Sequence, residues 1–234
     1  MKYLALLAEP ESGPASIPGT PEFEESVAHH AVFDAYAGPA IVGGGALHPV
    51  AEAATVRNTG GTPLVTDGPF AESNEVVGGF YIFEADDVDA ALDLVRRIPD
   101  MDNGYIELWP MVEWFSTPHS AGCWLALLRE LAGGADDPGT PAWDEGAAAH
   151  ARFTEAAGSA VRAGGALRPP ASATTVRTKG GEVMLTDGPF SESTEIANGL
   201  YVLSAPDRAT AVGLALQIPV GPRGCVELRR MVDE

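Results

Sequence analysis

The sequence predicts an α+β fold made of two tandem ferredoxin-like repeats, and three observations carry that prediction. The first is a duplication. Thr66-Asp67-Gly68-Pro69-Phe70 returns as Thr186-Asp187-Gly188-Pro189-Phe190, and with that offset held roughly 48 of 114 aligned positions are identical without a gap. The second is the length of the period, far beyond the ~20–50 residues of a solenoid unit, so each copy is a whole domain. The third is the order of periodic segments within a copy, β-α-β-β-β-α-β, which is the split βαβ pattern with an inserted hairpin. Repeat one runs over residues 1–113, a linker over 114–120, and repeat two over 121–234.

The elements follow in order. Apolar runs at 3–8 and 123–128 predict a first strand. Pro21 to Ala37 and Pro141 to Ala157 predict helices, since proline suits the first helical position. Residues 40–47 predict a strand whose glycines weaken it. Thr55 to Asn58 and Leu64 to Thr66, parted by Gly60-Gly61, predict a hairpin. Val77 to Ala85 predicts a strand. Asp87 to Arg97 predicts a helix with Val88, Ala91, Leu92 and Val95 on one face, and Gly104 to Val112 a last strand. Two helices cover one face of such a sheet, and the other face needs a partner. The second copy is the expected one, giving an intrachain pseudo-dimeric α/β barrel.

Composition narrows the function. The chain carries 14 Lys and Arg against 33 Asp and Glu, a net charge of −19, with 45% hydrophobic and 20% charged residues. A surface so acidic excludes general binding to a phosphate backbone or to anionic lipid. The most apolar stretch, 37–51, falls short of the ~20 residues a spanning helix needs, and the N-terminal apolar run is too short for a signal-peptide core. Two cysteines, Cys123 and Cys225, build no disulfide framework and are expected as buried thiols in a cytoplasmic protein. No zinc spacing, nucleotide-binding glycine loop or nucleophile elbow is present, so neither a metal nor a cofactor is expected.

Asp-Gly-Pro-Phe has a physical meaning of its own. Proline fixes φ, glycine permits positive φ, and aspartate bonds the backbone two residues on. The motif is either a capped turn and no more, or a rigid turn that holds Asp67 and Asp187 beside a cavity. His30 and His150 sit on the sheet-facing stripe of the first helix of each repeat, spaced from Val27 and Phe23, and from Ala147 and Trp143. They are core histidines or general bases oriented by an aspartate; His29 becomes Ala149 and is expected to face solvent. Arg57 and Arg177 end Thr-Val-Arg on one strand face, as ion-paired strand residues or as bidentate anchors for a substrate carboxylate. Glu72 and Glu192 follow the motif, and Glu107 and Glu227 lie on the last strands; surface carboxylates are the commoner case. Tyr81 and Tyr201 are cavity hydroxyls or core aromatics with a wet tip.

The run Thr-Asp-Gly-Pro-Phe, then Ala71-Glu72-Ser73 and Gly79-Phe80-Tyr81, resembles the DGPF branch of the YCII-related domain family. Ala53-Ala54-Thr55-Val56-Arg57, its copy Ala173-Thr174-Thr175-Val176-Arg177, Ile98-Pro99 and Val226-Glu227-Leu228-Arg229 extend the resemblance across both repeats. It implies a ferredoxin-like domain that assembles as a dimeric α/β barrel. It also implies either an enzyme using a histidine and an aspartate or, by fusion of some members to sigma-type factors, a role in transcription. Asp67 and Asp187 match the motif aspartate. Asn74 and Thr194 replace the lysine that often follows the motif.

The reading that results is a cofactor-independent acid–base enzyme of isomerase, cyclase or lyase type. Its small organic substrate lies in a cavity served by the pairs His30 with Asp67 and His150 with Asp187, with Arg57, Arg177, Tyr81, Tyr201, Glu72 and Glu192 as substrate-binding residues. The alternatives are a ligand-sensing module that docks on a transcription component, and a binder that holds a metabolite unchanged. Partners are a small molecule and at most a further copy of the chain. The charge is divided unevenly: residues 1–120 carry 19 acidic and 4 basic side chains, net −15, and residues 121–234 carry 14 and 10, net −4. An anionic ligand is therefore expected at repeat two, with Arg177 mattering more than Arg57.

Overall fold

The computed structural model describes residues 1–11, 13–59, 62–68, 75–101, 103–118, 121–131, 136–180, 182–190 and 195–233. Repeat one begins with β1 (Lys2–Pro10), α1 (Pro21–Ala37) and β2 (Ile41–Ala46), followed by the hairpin β3 (Ala54–Thr59) and β4 (Thr62–Asp67). It ends with β5 (Glu75–Glu84), α2 (Val88–Val95) and β6 (Tyr105–Ser116). Repeat two gives β7 (Cys123–Leu131), α3 (Pro141–Ala157), β8 (Val161–Leu167), β9 (Thr174–Lys179), β10 (Glu182–Asp187), β11 (Glu195–Ser204), α4 (Arg208–Ala215) and β12 (Cys225–Arg230). Each copy therefore runs β-α-β-β-β-β-α-β, one strand more between the helices than the predicted β-α-β-β-β-α-β, because 41–46 or 161–167 and both arms of the hairpin all form strands.

Local chemistry sets the helix bounds. Thr20 and Thr140 cap α1 and α3 by accepting from the amides of Phe23 and Trp143, and each helix opens on proline. Asp87 and Asp207 cap α2 and α4 in the same way. The cap places Asp87 outside α2, and the helix ends at Val95 rather than Arg97. β6 runs past the predicted strand into 114–116, taking the first residues of the expected linker. Thr117 beyond it donates its amide to the Arg162 carbonyl at 2.7 Å.

Two compact units arise, and neither is a repeat taken whole. Unit one comprises Met1–Pro49, Glu72–Met111 and Ala171–Ser191; unit two comprises Val50–Ala71, Val112–Pro170 and Glu192–Glu234. The hairpins have changed places. In unit one the strands β2, β5, β1 and β6 lie in ferredoxin-like order, and β9 and β10 from repeat two extend the sheet, with Ile106 opposite Val176. In unit two β8, β11, β7 and β12 take the same order, and β3 and β4 from repeat one extend it, with Val226 opposite Val56. All these pairings are antiparallel.

Each unit has its own apolar core on the helix-facing side of its sheet. Tyr3, Ala5, Leu7, Phe33, Phe83 and Leu108 are among the residues of the first, and the guest residue Val176 joins them. Trp124, Ala126, Leu128, Phe153, Leu203 and Leu228 contribute to the second, with Val56 as guest. Cys123 and Cys225 are buried free thiols. They lie at opposite ends of the β7–β12 pair, since Cys225 faces Arg129 and Trp124 faces Arg230.

Candidate functional site

α1 brings Phe33 and Ala37 into the core of unit one and leaves His30, one turn earlier, half-buried at the edge of the same stripe. Val27, expected on that stripe, is exposed. Across from the helix, Tyr81 on β5 packs its ring edge-on to Phe33 at 5.3 Å between centroids and stacks on Phe83 at 5.5 Å. Gly44 on β2 stands opposite Tyr81, and a Cβ there would lie 3.2 Å from the Tyr81 ring. In the copy, Gly164 stands opposite Tyr201, and a Cβ would come within 2.7 Å of that ring and 2.9 Å of Phe115. The repeated glycines thus make room for the tyrosine rings. Gly164→Ala is expected to displace Tyr201 and weaken its bond to His150, read as a shift of the His150 ring resonances; unchanged resonances would show that the ring has slack.

His30 Nδ1 lies 2.8 Å from the Tyr81 hydroxyl, and that hydroxyl donates to Asp34 Oδ1 at 3.0 Å. A carboxylate only accepts, so the single tyrosine proton points to Asp34 and His30 must donate its Nδ1 proton to the tyrosine oxygen. That fixes the tautomer. Nε2 keeps its lone pair and makes no bond among the described residues. Burial lowers the His30 pKa, against the opposing pull of Asp100 and Asp34 and with a small push from His29. Burial, helped by Asp34, raises the Tyr81 pKa, so the phenol keeps its proton.

Unit two repeats the geometry with one change. His150 Nδ1 lies 3.0 Å from the Tyr201 hydroxyl, Phe153 packs edge-on to Tyr201 at 5.2 Å, and burial lowers the His150 pKa. Where repeat one has Asp34, repeat two has Thr154. Its hydroxyl donates to the His150 carbonyl at 3.0 Å and also bonds Tyr201. A histidine with an acid behind it and a histidine without one therefore descend from one ancestor.

Both depressed histidines bear on stability. Unfolded histidines take up protons near their usual 6.5, while the folded ones resist to lower pH. In that window the unfolded state binds more protons, so stability falls as pH drops below about 6.5. The melting midpoint of His30→Gln/His150→Gln is expected to fall less between pH 7.5 and 5.5 than that of the unaltered chain. An equal fall would show that the rings are not held neutral.

The other predicted residues stand apart from these dyads. The motif aspartates are not the groups bonded to the histidines. Asp67 belongs to unit two, where its side chain is 89% exposed and pairs with Arg208. Asp187 ends β10 in unit one. The motif turn itself is held alike in both copies. Gly68 and Gly188, at φ 90° and 86°, donate to the carbonyls of Ala53 and Ala173, and the hydroxyls of Thr55 and Thr175 donate to the glycine carbonyls.

Arg57 donates to Glu195 at 3.2 Å and Arg177 to Glu75 at 3.0 Å, so both are ion-paired strand residues. Arg177 also lies over the rings of Phe190 and Tyr105, at 4.5 and 5.2 Å. Glu72 and Glu192 lie outside the described residues. Glu107 and Glu227 are buried rather than on the surface. His29 faces solvent and bonds Asp100 at 3.1 Å. Asp34 was the residue missed. Its signal was present, since it lies four residues after His30 and so on the same helix face.

A ferredoxin-like α+β fold of this kind is consistent with a small-molecule-binding or enzyme-like domain. The YCII-related domain matches residues 16–115 and again 134–234. The chain belongs to the YCII-related domain family and carries the domain twice. An uncharacterized protein of Rhizobium meliloti (strain 1021) is 39% identical over 67 residues, which is 28% of this chain and 54% of the relative. The match thus spans about half the length of that relative. Among solved structures, a protein provisionally assigned as a chlorite dismutase aligns over 99% of this chain and 95% of its own, at 11% identity and a TM-score of 0.42. That likeness says nothing about activity. Among the described residues no cluster of His, Cys, Asp or Glu is arranged to hold a metal ion, and no helix is long and apolar enough to cross a membrane.

Proposed function

We propose that the chain is a cofactor-independent acid–base enzyme acting on a small organic substrate, with His30 as its base and the DGPF branch as its place in the family. The observation that carries this reading is the His30–Tyr81–Asp34 chain. Nδ1 is committed, Nε2 is left as an acceptor, and burial keeps the ring neutral and able to take a proton near pH 7. As Nε2 takes a proton, the positive charge formed on the ring is balanced by Asp34 acting through the tyrosine hydroxyl. The same ring can return the proton to another atom of the substrate, which is the requirement of an isomerisation, cyclisation or elimination. His150 has no carboxylate behind it, so repeat two is the weaker base.

The test is deuterium uptake. A panel of enolisable carbonyl compounds in deuterated water is followed by NMR with the unaltered chain, His30→Gln and His150→Gln. Uptake that depends on His30 supports the reading. Uptake indifferent to both substitutions, or none across the panel, argues against it.

A further inference from the structure

A cleft of about 480 Å³ opens in unit two, well away in sequence from His150 and within the size range of small-molecule sites. It is lined by Trp124 and Ala205 and by five charged side chains, Glu52, Asp67, Asp207, Arg208 and Arg230. Three features set it apart from an ordinary surface dent.

The first is the register of β12. Val226 and Leu228 point into the core of unit two, and Arg230, two residues on, continues the same face. A guanidinium thus ends a row of core side chains. It lies directly across from Trp124 on β7, so the charge and the indole share one side of the sheet.

The second is how the two arginines are engaged. Arg208 is held by Asp67 and by the Ala53 carbonyl at 3.4 Å, so the motif aspartate of repeat one fixes a cation at the mouth of the cleft. Arg230 is half-buried and forms no ion pair among the described residues. The indole nitrogen of Trp124 is spent on the Ala205 carbonyl at 3.3 Å, and the ring is buried in the core except for the small part that lines the cleft.

The third is asymmetry. Arg208 and Arg230 correspond to Val88 and Pro110 in repeat one, and Trp124 to Leu4. The duplication kept the fold and the His–Tyr pair while all three of these residues came to differ between the copies.

We infer that this cleft binds a small planar monocarboxylate, its carboxylate forked onto Arg230 and its ring laid against the part of Trp124 that lines the cleft, while Arg208 is engaged by Asp67 at the rim. The guanidinium fork matches a carboxylate bidentately. Glu52, Asp67 and Asp207 also line the cleft, so a multiply charged phosphate is repelled more strongly than a monoanion. The site is independent of the acid–base reading and stands or falls separately.

The probe is benzoate, titrated into the full chain while the Trp124 indole N–H resonance and the heat of binding are followed, with neutral benzamide and inorganic phosphate as comparators. Benzoate is expected to shift the Trp124 resonance and to bind at least about tenfold more tightly than either comparator. Arg230→Gln should weaken it by about tenfold or more, and Arg230→Lys, which keeps the charge and loses the fork, by an intermediate factor. If Arg230→Gln does not fold, by its melting curve, the lysine variant and the benzamide comparison carry the test. Equal binding of benzoate and benzamide, phosphate binding as tightly as benzoate, unchanged affinity in either variant, or no Trp124 shift at about 20 mM benzoate would each overturn the assignment.

Discussion

His30→Gln is expected to lower turnover by about 10²–10⁴-fold, the usual worth of a positioned acid–base group. Glutamine keeps the size and a donor toward Tyr81 and removes only the basic lone pair at Nε2. The loss should therefore appear in kcat, with the melting midpoint little changed. Tyr81→Phe cuts the relay between ring and carboxylate. It should cost less than His30→Gln and free the tautomer, so its pH–rate profile should shift while that of a purely structural variant would only scale. Asp34→Thr gives repeat one the third residue of repeat two, and Thr154→Asp does the reverse. If the carboxylate is what distinguishes the copies, the first exchange weakens turnover and the second strengthens any contribution from His150. Turnover unmoved by both would place the chemistry elsewhere.

Glu227→Ala is expected to destabilise the fold by about 3–5 kcal/mol, which for a chain of this size is roughly 6–20 °C in melting midpoint. Glu227 is 3% exposed and accepts from Arg129 Nε at 2.9 Å and from Arg229 Nη1 at 3.4 Å, and Arg229 itself is 1% exposed. Burial alone would raise the Glu227 pKa, but the two guanidiniums outweigh it and hold the carboxyl ionised. Removing the acid takes away the carboxylate that two guanidiniums share, one of them fully buried, and losing that buried countercharge is the costly event. Glu227→Leu combined with Arg229→Met should therefore recover much of the stability, as volume-matched apolar replacement of a buried pair often does. A loss under about 1 kcal/mol for Glu227→Ala would show that water reaches the arginines. In repeat one the same glutamate, Glu107, has Trp109 where Arg229 stands. It accepts instead from the Trp109 indole at 3.0 Å and from the Phe190 amide at 2.9 Å. Neutral donors in one copy and cations in the other satisfy the same buried acid.

Much of the fold is legible in the sequence, because the duplication supplies two samples of every element and the caps mark the helix ends. Thr20-Pro21 and Thr140-Pro141 set α1 and α3 to the residue. The hairpin partners could not be read. Ala54–Thr59 has the same alternation whichever edge it pairs with, and nothing in a strand's own sequence tells β6 from β12. The site divides in the same way. His30 and Tyr81 stood out as residues, but their union depends on β5 lying beneath α1, a tertiary fact. The rigid motif turn suggested an aspartate fixed beside a cavity. Asp67 does stand at one, yet it is bonded to an arginine that no local spacing connects with it. The charge division between the halves pointed to an anion at repeat two with Arg177 as its anchor, but Arg177 is held by Glu75 as Arg57 is by Glu195.

The exchanged hairpins have a genetic consequence. A lesion and the damage it causes carry different addresses in this gene. A frame-preserving deletion in codons 50–71 strikes the sheet around His150, and one in codons 171–191 strikes the sheet around His30. Loss of either copy would therefore also take two strands from the sheet built on the other.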